Sequence, residues 1–473
     1  MKINTNITAI RANFNLNCVQ NKLTTSTTRL SSGYRINKAA DDAAGMAISQ
    51  KMHAQIRGLH RASQNGSDGI SFIQTAEGAL TEIEAMLQRC RELSVQAANS
   101  TNTIADKQAI QEEIDSLRAE IDRLAEQTEY NTMSVLDGSC CRQSSSDNVG
   151  VRLVSASDEV SLTGYTFTVD NAATQTTMTS GALGFNSPEE VVSKEAAGTI
   201  QINGESIKIE EGQTYEEVYA SIRDYCEMMN IDVVPSSGGN ECELKDADSL
   251  TFTSKLYGAS HKITMTTDNK ELADMLGVDG AVYQQGADAQ VTLDTSNGFS
   301  KTATVFIDGG RVEVSDRNGF SMIFDVSDAK AGSDATVTML DAGYVAIQIG
   351  ANEGQTIDIS VPPVTCEALD IQYLNVCTKE GASEAITAFD NAIEQISSVR
   401  SKLGAYQNRM DRAVSSLDTT EENLTEACSR IEDVDMSEEM TEYTQYSVLT
   451  QAGTSMLAQA NNQPQTILQL LQG

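Results

Sequence analysis

Proline sets the first constraint on this chain. Inside a helix it removes a backbone hydrogen bond and clashes with the preceding turn, so a long proline-free run permits long helices. The five prolines are Pro188, Pro235, Pro362, Pro363 and Pro464, which leaves residues 1–187 and 364–463 with none. Glycine divides the chain the same way: of 32, six fall in residues 1–130, three after 381, and 23 in between. Both ends therefore read as helical and the middle as turn-rich. At 473 residues the chain is also too long for a single core.

The helical ends carry apolar seams. Alternating steps of three and four from Ile386 give Phe389, Ile393, Ile396, Arg400, Leu403, Gln407, Met410, Val414, Leu417, Glu421, Leu424, Cys428 and Ile431, and eleven of these fourteen positions are apolar. Such a seam predicts one straight helix, about 70 Å long at about 1.5 Å per residue, that needs partner helices along its length. At the other end of the chain Ile73, Ala76, Leu80, Ile83, Leu87, Cys90, Ser94 and Ala97 follow the same spacing. After a break at Asn99-Ser100-Thr101-Asn102, a second helix is marked by Ile110, Ile114, Leu117, Ile121 and Leu124, with Thr103 and Asp106 placed to cap it. Three stripes from two distant segments can close one elongated bundle.

The outermost ends differ in charge. Residues 1–40 hold six basic side chains (Lys2, Arg11, Lys22, Arg29, Arg35, Lys38) and no acidic one, whereas residues 436–473 hold Glu438, Glu439 and Glu442 and no basic one. The termini should attract each other, but their apolar content is thin: Ile3, Ile7, Ile10 and Phe14 at one end, Leu449, Met456, Leu457, Leu468 and Leu471 at the other. An isolated pair would bury little, so full order is expected only beside further copies of the chain.

The middle reads as β. Thr199–Ile202 and Glu205–Ile209 flank Asn203-Gly204, a two-residue hairpin signal because both residues accept positive φ. Thr214 and Glu217 form a capping box ahead of Val218, Ile222 and Tyr225. Runs at 251–253, 303–307, 311–314 and 322–326 complete one or two antiparallel modules inserted between the helical ends. The fold class is thus α+β, a long antiparallel helical bundle and paired terminal helices built from both chain ends, with a central antiparallel β-rich insertion.

Composition excludes several functions. A formal net charge of -34 with no Lys/Arg cluster argues against nucleic acid. No stretch is apolar enough to span a bilayer, and the start, Met1-Lys2-Ile3-Asn4-Thr5-Asn6, lacks the apolar segment of a cleaved signal peptide. The nine cysteines (Cys18, Cys90, Cys140, Cys141, Cys226, Cys242, Cys366, Cys377, Cys428) form no CxxC pair and read as free thiols, Cys90 and Cys428 serving as small apolar residues. His53 and His60 are seven apart, too far for a metal pair on one helix face, and His261 stands alone, so all three read as structural or solvated. No HExxH, G-x-S-x-G, P-loop or dinucleotide fingerprint occurs in a fitting context, and no catalytic residue or cofactor is expected.

Several segments resemble one family. Arg29-Leu30-Ser31-Ser32-Gly33-Tyr34-Arg35-Ile36-Asn37 with Asp41-Asp42-Ala43-Ala44-Gly45 is similar to the N-terminal signature of bacterial flagellins, and Leu87-Gln88-Arg89-Cys90-Arg91-Glu92-Leu93 with Gln96, Ala98-Asn99 and Thr101-Asn102 is similar to a second. At the far end, Ser401–Ala405, Ser429–Asp433 and Gln451–Asn461 resemble the C-terminal pattern, and Gln348–Thr356 resembles the strand by which the chain re-enters the bundle domain. The resemblance implies a filament-core domain at 1–41 and 433–473, a bundle domain at 42–172 and 340–432, and a surface-exposed insertion at 173–339.

It also implies function and partners: self-assembly into an extracellular flagellar filament for motility, an export chaperone and a filament cap. Arg89, Leu93 and Glu113 match positions through which flagellin monomers bind Toll-like receptor 5. With Leu87 and Cys90 facing inward, Arg89, Leu93 and Gln96 share another helix face, so Leu93 is expected as an apolar residue on a polar surface, used for filament or receptor contact. A hook-filament junction protein, or a subunit whose insertion binds surfaces or glycans, is the alternative.

Overall fold

A computed structural model describes residues 6–472 apart from 100, 158, 185–186, 239, 279–281, 297, 318 and 341, and describes side chains as far as residue 463. Among the described residues are seven α-helices: α1 (Ile7–Ser32), α2 (Ala43–Ala97), α3 (Ile104–Gln127), α4 (Tyr215–Met228), α5 (Lys270–Leu276), α6 (Lys379–Glu432) and α7 (Met436–Gln472). The chain divides into two compact units, one of residues 1–69, 347–357 and 409–473, the other of residues 70–346 and 358–408.

In the first unit α1 and α7 run antiparallel. Asn6 donates from Nδ2 to the Ala460 carbonyl at 2.8 Å, Leu16 lies against Gly453, Lys22 Nζ sits 5.6 Å from the centre of the Tyr446 ring, and Arg29 meets Glu439 at 3.5 Å. This last contact realises the charge difference between the termini. The turn between α1 and α2 is tied to the end of α6 by backbone bonds from Arg35 N to the Glu432 carbonyl (2.5 Å) and from Val434 N to the Gly33 carbonyl (3.0 Å). The early part of α2 packs against the late part of α6, where Gly66 leaves room for Val414: a Cβ at residue 66 would lie 2.6 Å from its Cγ2.

In the second unit the predicted α2 seam is buried throughout, from Ile73 to Ala97. The capping box at Thr103 and Asp106 opens α3. Over residues 379–408 the α6 seam keeps Phe389, Ile396 and Leu403 but not its alternate positions, because Ala385, Ala392 and Val399 are buried in place of Ile386, Ile393 and Arg400. A helix packed on two neighbours buries a wider arc than two heptad positions, and this arc turns one residue away from the larger side chains. Arg400 instead pairs with Glu84 and, at 3.9 Å, with Glu77 on α2.

The β-rich part comprises two modules, one nested within the other. The inner module has a four-stranded sheet ordered Asn240–Glu241, Ile231–Ser237, Ser249–Tyr257 and Gln175–Thr179, and another ordered Val282–Gln285, Lys262–Thr267, Gly198–Ile202 and Glu205–Ile209. Its core joins Ile200, Ile202, Ile207, Val218, Ile222, Phe252 and Leu272. Asn203 and Gly204 take φ of 48° and 84°, as the hairpin signal requires, and Thr214 caps α4. The outer module pairs Gly164–Asn171 with Gln290–Leu293 and Ser333–Met339, and Arg152–Ala156 with Ser321–Asp325, around a core of Tyr165, Phe167, Phe299 and Phe324. Strands within residues 144–171, a segment read from sequence as part of the bundle domain, pair with strands of 290–339. All described cysteines are free thiols.

Candidate functional site

The terminal helices leave most of their apolar side chains uncovered. Ile7, Ile10 and Phe14, at i, i+3 and i+7 on one face of α1, are 61%, 59% and 68% exposed. On α7, Leu449 and Met456 are exposed, and Leu457 is half-buried. Ile3 falls outside the described residues, as do the side chains of Leu468 and Leu471. Met436, Met440 and Val448 are also exposed on α7 and were not singled out from sequence, although their spacing in multiples of four was available as a signal. Among described residues the only buried one in α1 is Ser26, and in α7 it is Glu439. Both are polar, so the pair holds no apolar core of its own.

The second candidate is the face of α2 around residue 90. Arg89 and Glu113 are exposed and joined across α2 and α3, with Arg89 Nε and Nη2 donating to Glu113 Oε1 at 3.0 and 2.8 Å. Hydrogen bonding to Glu113, reinforced by its charge, holds the Arg89 guanidinium above its usual range. Gln96 is exposed. Leu93 departs from expectation: it is 2% exposed and belongs to the core. The reason lies in the number of neighbours. Arg89 ties α2 to α3, while Arg91 pairs with Asp390 of α6. A helix lined on two sides buries a flanking heptad position as well as the seam, and Phe72, three heptads before Leu93, is likewise 1% exposed. Cys90 fills its seam position as a small apolar residue, and burial pushes its thiol up to about 12.

No described helix is long and apolar enough to cross a membrane. What these surfaces offer is a row of uncovered apolar groups on two paired helices, in a chain that also carries an inserted β-rich region. That combination fits a class: helical proteins that leave apolar stripes uncovered on the single chain.

Comparison with known proteins gives the family. The model of the bacterial flagellin N-terminal helical region matches residues 3–140, and that of the C-terminal helical region matches residues 386–471. A flagellin of Clostridium tyrobutyricum is 36% identical over 470 residues, spanning 98% of this chain and 100% of its own length. A flagellin of Salmonella rubislaw is 33% identical over 510 residues, with 99% of each chain covered, and flagellin B of Vibrio cholerae serotype O1 is 31% identical over 476 residues, with 100% and 99% covered. The chain belongs to the bacterial flagellin family. It is a structural subunit of the extracellular flagellar filament.

Proposed function

We propose that the chain polymerises by covering the apolar stripes of α1 and α7 with the same helices of neighbouring copies. The observation that carries this is the contrast in burial: α2 buries an unbroken seam from Ile73 to Ala97, while Ile7, Ile10, Phe14, Val448, Leu449 and Met456 stay exposed. Covering each is worth about 1–2 kcal/mol, scaled from the value for full burial, and a repeat that does not close on itself gives a filament. Seeded growth of the full chain, followed by electron microscopy, tests it. Wild type extends seeds, whereas Ile10→Ser/Phe14→Ser stays monomeric with its helical content intact. Extension by that variant at the wild-type rate would refute the assignment. An export chaperone and a filament cap are the further partners of this reading.

The receptor reading rests on fewer residues than the sequence offered. Arg89, Gln96 and Glu113 are exposed on the monomer, which supports a polar contact with Toll-like receptor 5, while Leu93 is buried and offers little apolar surface to it. A receptor reporter assay with Arg89→Ala checks this, since unchanged potency would remove the polar face as the contact. Agreement along the whole length with proteins named flagellin favours a filament subunit over a junction protein.

A further inference from the structure

Three side chains from distant parts of the sequence converge in the first compact unit. His53 of α2 places Nε2 2.7 Å from Glu432 Oε2 and 3.6 Å from Cys428 Sγ, and that sulfur lies 3.7 Å from the same carboxylate oxygen. Cys428 and Glu432 are one turn apart on α6, so they share a face. Cys428 is buried, while the side chains of Glu432 and His53 are 18% and 45% exposed. The cluster is closed on the sulfur side and open to water at the imidazole.

A thiol, an imidazole and a carboxylate can serve two chemistries. In a nucleophilic triad the imidazole takes the thiol proton with one ring nitrogen and is oriented by the acid through the other. Here a single nitrogen, Nε2, faces both partners, so no such relay exists.

Convergence of one lone-pair atom from each residue suits a metal ion instead. Tetrahedral zinc takes sulfur at about 2.3 Å and nitrogen or oxygen at about 2.0–2.2 Å, which sets ligand atoms about 3.3–3.6 Å apart. The two sulfur separations already match. Only the imidazole–carboxylate gap must open, by about 0.6 Å, as one hydrogen bond is exchanged for two bonds to a cation. A mixed sulfur, nitrogen and oxygen set favours zinc-like ions over magnesium or calcium, which prefer oxygen alone.

We propose that His53, Cys428 and Glu432 form a zinc site, with three protein ligands and water in the fourth position, that clips α2 to α6. The ion joins residues 375 apart in sequence, next to the backbone bonds that hold the α1–α2 turn on the end of α6. The test is titration of the full-length reduced monomer with cobalt(II), then with zinc as competitor. One equivalent of cobalt gives near-ultraviolet thiolate absorption that zinc abolishes. Cys428→Ser removes the band, Cys18→Ser keeps it, and Glu432→Gln, which retains shape and helix propensity, weakens binding by more than about 100-fold, beyond the loss of an orienting partner. Circular dichroism verifies that each variant is folded. Absence of the band in wild type, its persistence in Cys428→Ser, or Glu432→Gln binding within about 10-fold of wild type overturns the proposal.

Discussion

Leu93→Ala separates a core residue from a contact residue. The side chain is 2% exposed and the substitution removes three carbons. At about 0.8 kcal/mol per buried CH₂ the transfer loss is about 2.4 kcal/mol, and the cavity left behind adds to it. Because Leu93 lies four residues before the end of α2, partial collapse should limit the cavity, and about 3 kcal/mol is expected. Urea unfolding of the monomer, followed by circular dichroism because the chain has no tryptophan, reads this as a midpoint lowered by about 1 M. Gln96→Ala, on the exposed face one turn away, leaves the midpoint in place. A Leu93→Ala protein that unfolds with wild type, within about 0.5 kcal/mol as surface substitutions do, would show that the residue is not in the core and restore it as a contact.

Lys107 is 6% exposed and its ammonium lies 2.9 Å from Glu205, so Lys107→Ala leaves a mostly buried carboxylate without its cation; about 2–3 kcal/mol of stability is lost, and a change below about 0.5 kcal/mol in urea unfolding would contradict the pairing. Thiol labelling at pH 8, read by mass spectrometry of peptides, should modify exposed Cys18 first. Cys90 and Cys226 resist, because burial pushes both thiols up to about 12 and keeps them protonated and covered; their labelling alongside Cys18 in the folded protein would contradict the packing.

Local signals were legible in the sequence wherever one short window held all the information. Asn203-Gly204 specified its hairpin through positive φ, Thr103 with Asp106 and Thr214 with Glu217 specified helix starts, and the seam from Ile73 to Ala97 specified a buried stripe. Features that depend on distant partners were not. Ser144–Ser146 has no apolar alternation and becomes a strand only by pairing with Val337–Met339. Tyr165, Phe167 and Val169 alternate visibly, yet only their partners in 290–339 place them in a β module. The phase of the α6 seam and the burial of Leu93 follow from how many helices surround each position, which periodicity in one helix does not state. His53, Cys428 and Glu432 show no spacing motif because two helices from opposite ends of the chain bring them together.

Hydrogen exchange of α1 and α7, compared between monomer and fibre, bears most directly on the claim that the chain's ends complete their cores with neighbouring copies. Amides in Ile7–Ser32 and in 436–463 should exchange rapidly in the monomer, where Ser26 and Glu439 are the only buried residues described, and gain at least about 100-fold protection in the fibre. Those of Ile73–Ala97 should be slow in both. Terminal helices as protected in the monomer as that seam, or unchanged on polymerisation, would contradict the account.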